Sequence, residues 1–152
     1  MPVVTVQERL DASRAAVWKQ LCDVESYPEY MESIADIRVD SRTTRPDGLV
    51  DTVVSWQATV KGSVLRWTER ELRYDADYRL TFQQLSGDLE VYQGYWEVRA
   101  LDDGSAEATL EVEFDIGLPE LRPMLEPLVV EAIRTNSTGM LRALGQRASS
   151  VS

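Results

Sequence analysis

The chain has 152 residues, 43% hydrophobic and 28% charged, within the range of one compact domain, and its formal net charge is −10. That charge repels phosphate backbones, and with no Lys/Arg stripe it argues against nucleic acid as a partner. Histidine is absent, which excludes Ser-His-Asp and Cys-His catalysis and leaves no imidazole for zinc. Acid-base work therefore falls to carboxylates, tyrosines, Cys22, the two lysines Lys19 and Lys61, or bound water.

No apolar run is long enough to span a bilayer, and "MPVVTVQERL" lacks the pattern of a signal peptide. A lone Cys22 excludes an internal disulfide and suits a reducing compartment, so the expected location is cytoplasmic, without stable membrane anchoring. No motif suggests a metal or an organic cofactor.

In chain order, "VVTVQERL" alternates as a first strand. "DASRAAVWKQL" predicts a helix capped by Asp11 or Ser13, with Val17, Trp18 and Leu21 on its apolar face. It ends before "YPEYM", where Pro28 disfavours a helical Tyr27. Strands follow in "ADIRVDSRT", "LVDTVVSWQATV", "SVLRWTERELRY", "YRLTFQQL", "LEVYQGYWEVRAL" and "AEATLEVEFDI". Short turns such as "RPDG", "VKGS" and "LDDGS" join them, which predicts an antiparallel meander.

Val50, Val54, Trp56, Ala58 and Val60 share one face of their strand. In the last strand Ala108, Leu110, Val112, Phe114 and Ile116 face a covered side, and Glu111, Glu113 and Asp115 a wet one. A long C-terminal helix carries an apolar stripe of Leu121, Met124, Leu125, Leu128, Val129, Ala132, Ile133, Met140, Leu141 and Leu144, with Pro127 marking an irregular or kinked start. The sheet's covered face is the one partner wide enough for that stripe, and a strongly twisted sheet gripping a helix leaves room for a hollow.

"LRWTERE" is the segment with most chemistry. Alternation puts Leu65, Trp67, Glu69 and Glu71 on one face and Arg66, Thr68, Arg70 and Leu72 on the other. If Trp67 points inward, Glu69 and with it Glu71 enter an aromatic interior, where a carboxyl has a raised pKa suited to proton transfer. If a bulge reverses the register, Arg70 becomes the inward residue and holds an oxyanion. The plainer alternative is a wet strand end whose charges pair with their neighbours. Asn136 falls near the helix stripe and needs a hydrogen-bond partner, and Gly139 suggests close approach of a ligand or strand. Cys22 reads as a small buried apolar residue.

"AAVWKQLCDVESYPEYM", "GDLEVYQGYWEVRAL" and the terminal helix together resemble the helix-grip superfamily of START and Bet v 1-like (SRPBCC) proteins, and within it the polyketide cyclase/dehydrase group, with aromatase/cyclases and coenzyme Q-binding proteins as neighbours. The resemblance implies an α+β fold: a curved antiparallel sheet of about seven strands around a long C-terminal helix, with two short helices after strand 1. It implies one domain over residues 1–148, and 149–152 read as a disordered tail. It also implies a cavity for a hydrophobic or polyaromatic ligand. There Tyr27, Tyr30 and Met31 would stand at the mouth, and Trp56, Trp67, Phe82, Tyr92, Trp96, Leu128 and Ala132 along the walls.

The implied activity is that of a polyketide aromatase/cyclase in natural-product biosynthesis, using Glu69 or Arg70 with Asn136, and an acyl carrier protein is then the implied partner. A carrier or sequestering protein for a lipid, quinone or natural product is the alternative. The chain departs from the aromatase/cyclases in one respect: aligned on Trp67, their strand arginine falls on Glu71.

Overall fold

The structure, a computed structural model, describes residues 1–151. Seven antiparallel strands form one sheet: β1 (Val3–Leu10), β2 (Ile34–Thr44), β3 (Val50–Val60), β4 (Ser63–Tyr74), β5 (Arg79–Gly87), β6 (Val91–Ala100) and β7 (Ala106–Asp115). Their spatial order is β1-β7-β6-β5-β4-β3-β2, so the meander β2–β7 is closed by β1 returning beside β7. Two short helices, α1 (Arg14–Cys22) and α2 (Tyr27–Tyr30), link β1 to β2, and α3 (Arg122–Val151) ends the chain. This is the α+β helix-grip architecture expected from the sequence. Residues 149–151, read from sequence as tail, continue α3; Ser152 lies outside the described residues.

Ser13, not Asp11, caps α1, its Oγ accepting from the Ala16 amide at 3.1 Å. The core follows the alternation. Val54, Ala108, Val112 and Phe114 are buried from the sheet, and Val17 and Leu21 from α1. Leu141, Leu144 and Ala148 of α3 complete this closed end.

Two glycines let the sheet bend and close. A Cβ on Gly94 would stand 1.8 Å from the Glu111 carbonyl oxygen, and one on Gly87 would stand 2.4 Å from the Trp67 Cβ. Gly139, by contrast, has nothing near it. The close approach to α3 occurs at Gly145, where a Cβ would meet Leu10 at 2.7 Å.

α3 runs through Pro127 without ending there. Its start projects beyond the sheet, so Leu121 just before it and Met124 and Leu128 in its first turns are exposed, and the covered stripe begins near Val129.

Candidate functional site: an aromatic hollow with a buried carboxyl pair

Between the sheet and the middle of α3 lies a hollow of about 280 Å³, near the lower bound for small-molecule sites. β3 contributes Trp56, Ala58 and Val60, and β4 contributes Leu65, Trp67 and Glu69. Phe82, Gln84, Leu89, Tyr92, Trp96 and Leu110 come from β5–β7 and the turn between β5 and β6, while Val129, Ala132, Ile133, Asn136, Ser137 and Met140 come from α3. Depressions on the outer face of the sheet are polar and open, such as that between Arg70 and Glu113.

Strand register builds the aromatic wall. Trp56 and Trp67 are direct cross-strand partners, so their indoles stack at 5.6 Å and 9°. Tyr92 tilts against Trp67 at 5.2 Å and against Phe82 at 5.6 Å. Among the described residues the Tyr92 hydroxyl has no hydrogen-bond partner, and burial pushes its pKa up.

The same register carries Glu69 and Glu71 inward beside Trp67. Glu69 is 2% exposed and Glu71 5%. The irregularity opposite them belongs to β5, where Leu85 is the unpaired residue between Gln84 and Ser86, so alternation along β4 is unbroken. Trp67 Nε1 donates to Glu69 Oε1 at 2.6 Å, and Trp56 Nε1 donates to Glu71 Oε2 at 3.3 Å.

Burial drives the Glu69 pKa well above the ordinary carboxyl value, and the charge of Glu71 pushes it further, the Trp67 N–H offsetting part of this. Burial also raises Glu71, against hydrogen bonds from Glu69 and Trp56 and the charge of Arg42. The two side chains are hydrogen-bonded to each other. Glu69 is the donor toward Glu71, and of the two it is the one burial and its neighbour's charge push further toward the protonated form.

Other expected residues stand elsewhere. Arg70 projects to the outer face, where its Nε and Nη2 donate to Asp51 at 3.0 and 2.5 Å, so the reversed register and the wet strand end are both corrected. Tyr27 and Met31 are buried behind the wall rather than at a mouth: Tyr27 packs against Trp56 at 5.7 Å and Trp96 at 6.2 Å, and its hydroxyl donates to the Leu21 carbonyl. Tyr30 lies on the far side, under the Arg147 guanidinium at 5.0 Å. "YPEYM" is thus a backing turn for the aromatic wall, and the chain reaches the hollow only after it, at Ser33 and Ile34.

Leu128 is 53% exposed because α3 overhangs the sheet there, while Ala132, one turn on, lines the hollow. Asn136 also lines it, its amide donating to the Thr59 carbonyl at 3.3 Å. Trp18 is structural, donating to Asp75 at 3.0 Å. Burial pushes the Cys22 thiol up to about 12, the nearby Arg73 charge notwithstanding.

Several lining residues were not singled out from sequence. Leu65 follows from alternation with Trp67, and Val129, Ile133 and Met140 from helical spacing around Ala132 and Asn136. Gln84 follows from alternation with Phe82, since the bulge at Leu85 comes after it.

Residues 10–141 match the family model described as "Polyketide cyclase / dehydrase and lipid transport". No curated protein matches the chain. Among solved structures, a protein from Thermus thermophilus superposes with TM-score 0.89 at 23% identity, covering 99% of each chain. The Zhui aromatase/cyclase from a Streptomyces species superposes with TM-score 0.84 at 19% identity, over 97% of this chain and 93% of that one. A START superfamily protein from Mycobacterium smegmatis gives TM-score 0.78 at 18% identity, over 99% of each. At these identities the likeness establishes the shared fold. No helix among the described residues is long and apolar enough to cross a membrane.

Proposed function

The chain belongs to the polyketide cyclase/dehydrase and lipid transport family, and on that premise we propose that its hollow binds a compact polyaromatic molecule and acts on it as an aromatase/cyclase. The observation that carries this reading is Glu69, a carboxyl only 2% exposed on the wall of a largely apolar hollow, where burial pushes it toward its protonated form. An apolar hollow alone serves binding. A buried acid next to a basic partner adds proton transfer.

In an aldol closure Glu69 gives its proton to the carbonyl oxygen under attack and, as the carboxylate so formed, takes up the proton the α-carbon releases, with Glu71 behind it holding that carboxyl in place. The carbon–carbon bond then forms at the cost of one C–H bond and one C=O π bond. Loss of water repeats the exchange, with the hydroxyl taking the proton from Glu69. The Asn136 amide orients the ligand oxygen, and stacking on Trp67 and Tyr92 holds the chain folded, a positioning effect worth several kcal/mol in general. Arg70 has no part, since it faces the other side of the sheet.

A carrier or sequestering role is the second reading. It is favoured by the fact that both Glu69 oxygens already have partners, in Trp67 and Glu71. Native mass spectrometry after mixing the protein with aromatic polyketides, quinones and fatty acids separates the two. A polyketide recovered cyclised by wild type but unchanged by Glu69→Gln supports the enzyme. A ligand recovered intact by both supports the carrier, and no retained ligand sinks both readings.

A further inference from the structure

The charge of the hollow bears on which molecules it accepts. At its inner wall the ionisable groups are Glu69 and, behind it, Glu71, and they are locked side by side on β4 by the indole N–H groups of Trp67 and Trp56. The cationic residue that reaches the lining is Arg66. It lies on the exposed edge of the hollow, beside Asp88, whose carboxylate accepts from the Arg66 backbone amide at 2.8 Å. Arg42 acts on Glu71 from β2 but is half-exposed and 3.6 Å from Glu25. No cation among the described residues therefore stands inside to receive an anionic ligand group.

The flanking rings have negative faces, and Trp67 and Tyr92 are both only half-buried by protein, leaving part of their surface to the hollow. The Tyr92 hydroxyl adds a free acceptor. Two adjacent buried carboxyls with no cationic side chain beside them, aromatic faces and a hydroxyl in one hollow have a common complement: a cationic nitrogen on an apolar body. A neutral ligand gains the ring contacts and neutral hydrogen bonds, without charge attraction. A ligand with a permanent carboxylate places like charge against the carboxyl pair.

We propose that the hollow selects hydrophobic amines, seated with the protonated nitrogen against Glu69, Trp67 and Tyr92. The inference rests on the reading of the hollow as a ligand site and names the chemical class it favours. The nitrogen replaces the shared proton as the partner of the carboxyl pair. The apolar body then lies along Phe82, Ala132 and Ile133.

Three probes of one shape test this: 1-naphthylmethylamine, 1-naphthalenemethanol and 1-naphthoic acid, titrated at neutral pH by calorimetry or by quenching of tryptophan fluorescence. The amine is expected to bind the wild-type protein at least about tenfold more tightly than the alcohol, and the acid most weakly. Glu71→Gln, which removes one carboxyl of the pair, is expected to bring the amine-to-alcohol ratio to within about twofold. Equal affinity of amine and alcohol in the wild type, or tighter binding of the acid, overturns the amine preference and leaves the ligand site standing. Failure of all three to bind overturns both. The wild-type comparison needs no variant to fold.

Discussion

The two halves of α3 meet the same sheet with different results. Toward the C-terminus, Leu141, Leu144 and Ala148 have no exposure and belong to one core with Leu10, Val17 and Val4, and Gly145 lets the backbone come down onto Leu10. One to three turns earlier, Val129, Ala132, Ile133 and Asn136 face Trp56, Trp67 and Tyr92 across open space. Both halves are apolar and both sit under curved sheet. The difference lies in what stands opposite: small and branched side chains at the closed end, and stacked indoles with a carboxyl pair at the other. Rings braced against each other cannot collapse to fill a gap, so the void persists. Close packing is concentrated at one end and open space at the other.

Leu144→Ala is the largest expected blow to the closed end. It empties a fully buried site whose neighbours are fixed by sheet and helix, and about 3–5 kcal/mol of unfolding free energy should be lost, read by urea titration. The mirror experiment is Ala132→Phe at the hollow end. There the added ring enters existing space, so stability should change by less than about 1 kcal/mol while binding of any aromatic ligand falls at least about tenfold. Similar destabilisation by both substitutions would erase the contrast between the halves.

How much of this contrast was readable beforehand depends on the period of each segment. The fold was legible because β3, β4 and β7 alternate cleanly and α3 carries a helical stripe. Trp56, Trp67, Phe82, Tyr92, Trp96 and Ala132 line the hollow as that patterning placed them, and Glu69 follows from its parity with Trp67. Where the sequence misleads, the reason is length or geometry beyond one element. Periodicity says which side of α3 is apolar but not how far the sheet extends under it, hence Leu128. A single turn such as α2 has no period at all, so Tyr27 and Met31 could be placed near the hollow but not behind its wall. The proton shared by Glu69 and Glu71 depends on two indoles from different strands, a coincidence that only pairing register reveals.

Glu69→Gln sharpens the contrast by testing whether the hollow is kept at a cost. A carboxyl whose folded pKa is raised contributes its full stability below the unfolded value and loses it as pH rises, because the unfolded chain then ionises first. The groups around it are Glu71, the Trp67 N–H, and the Tyr27 and Tyr92 hydroxyls, with Arg42 and Cys22 acting on Glu71 or through it. Glutamine mimics the protonated form and keeps an acceptor for Trp67. The variant should match wild type near pH 4 and exceed it near pH 8 by about 1–3 kcal/mol, followed as melting temperature across that range. Parallel pH profiles would mean that the pair is not held protonated by burial.

The smallest effect is expected from Arg70→Ala, one residue away. Its guanidinium bridges to Asp51 on the outer face, and with Arg45 also on Asp51 it holds that carboxyl down to about 2. The Arg70 side chain is open to solvent and Asp51 partly so, and ion pairs at a wet surface contribute little. Arg45 remains to neutralise Asp51 when Arg70 is gone. Melting temperature should barely move, and the amine-to-alcohol ratio of the hollow not at all. Adjacent residues on one strand would then behave as members of different regions, because a β-strand's two faces belong to different solvents: Glu69 to the hollow, Arg70 to water. A loss of ligand affinity in Arg70→Ala would instead mean that the outer face couples to the hollow through β4. The division of the molecule into a closed end and an open end would then have to be redrawn along the strand rather than along the helix.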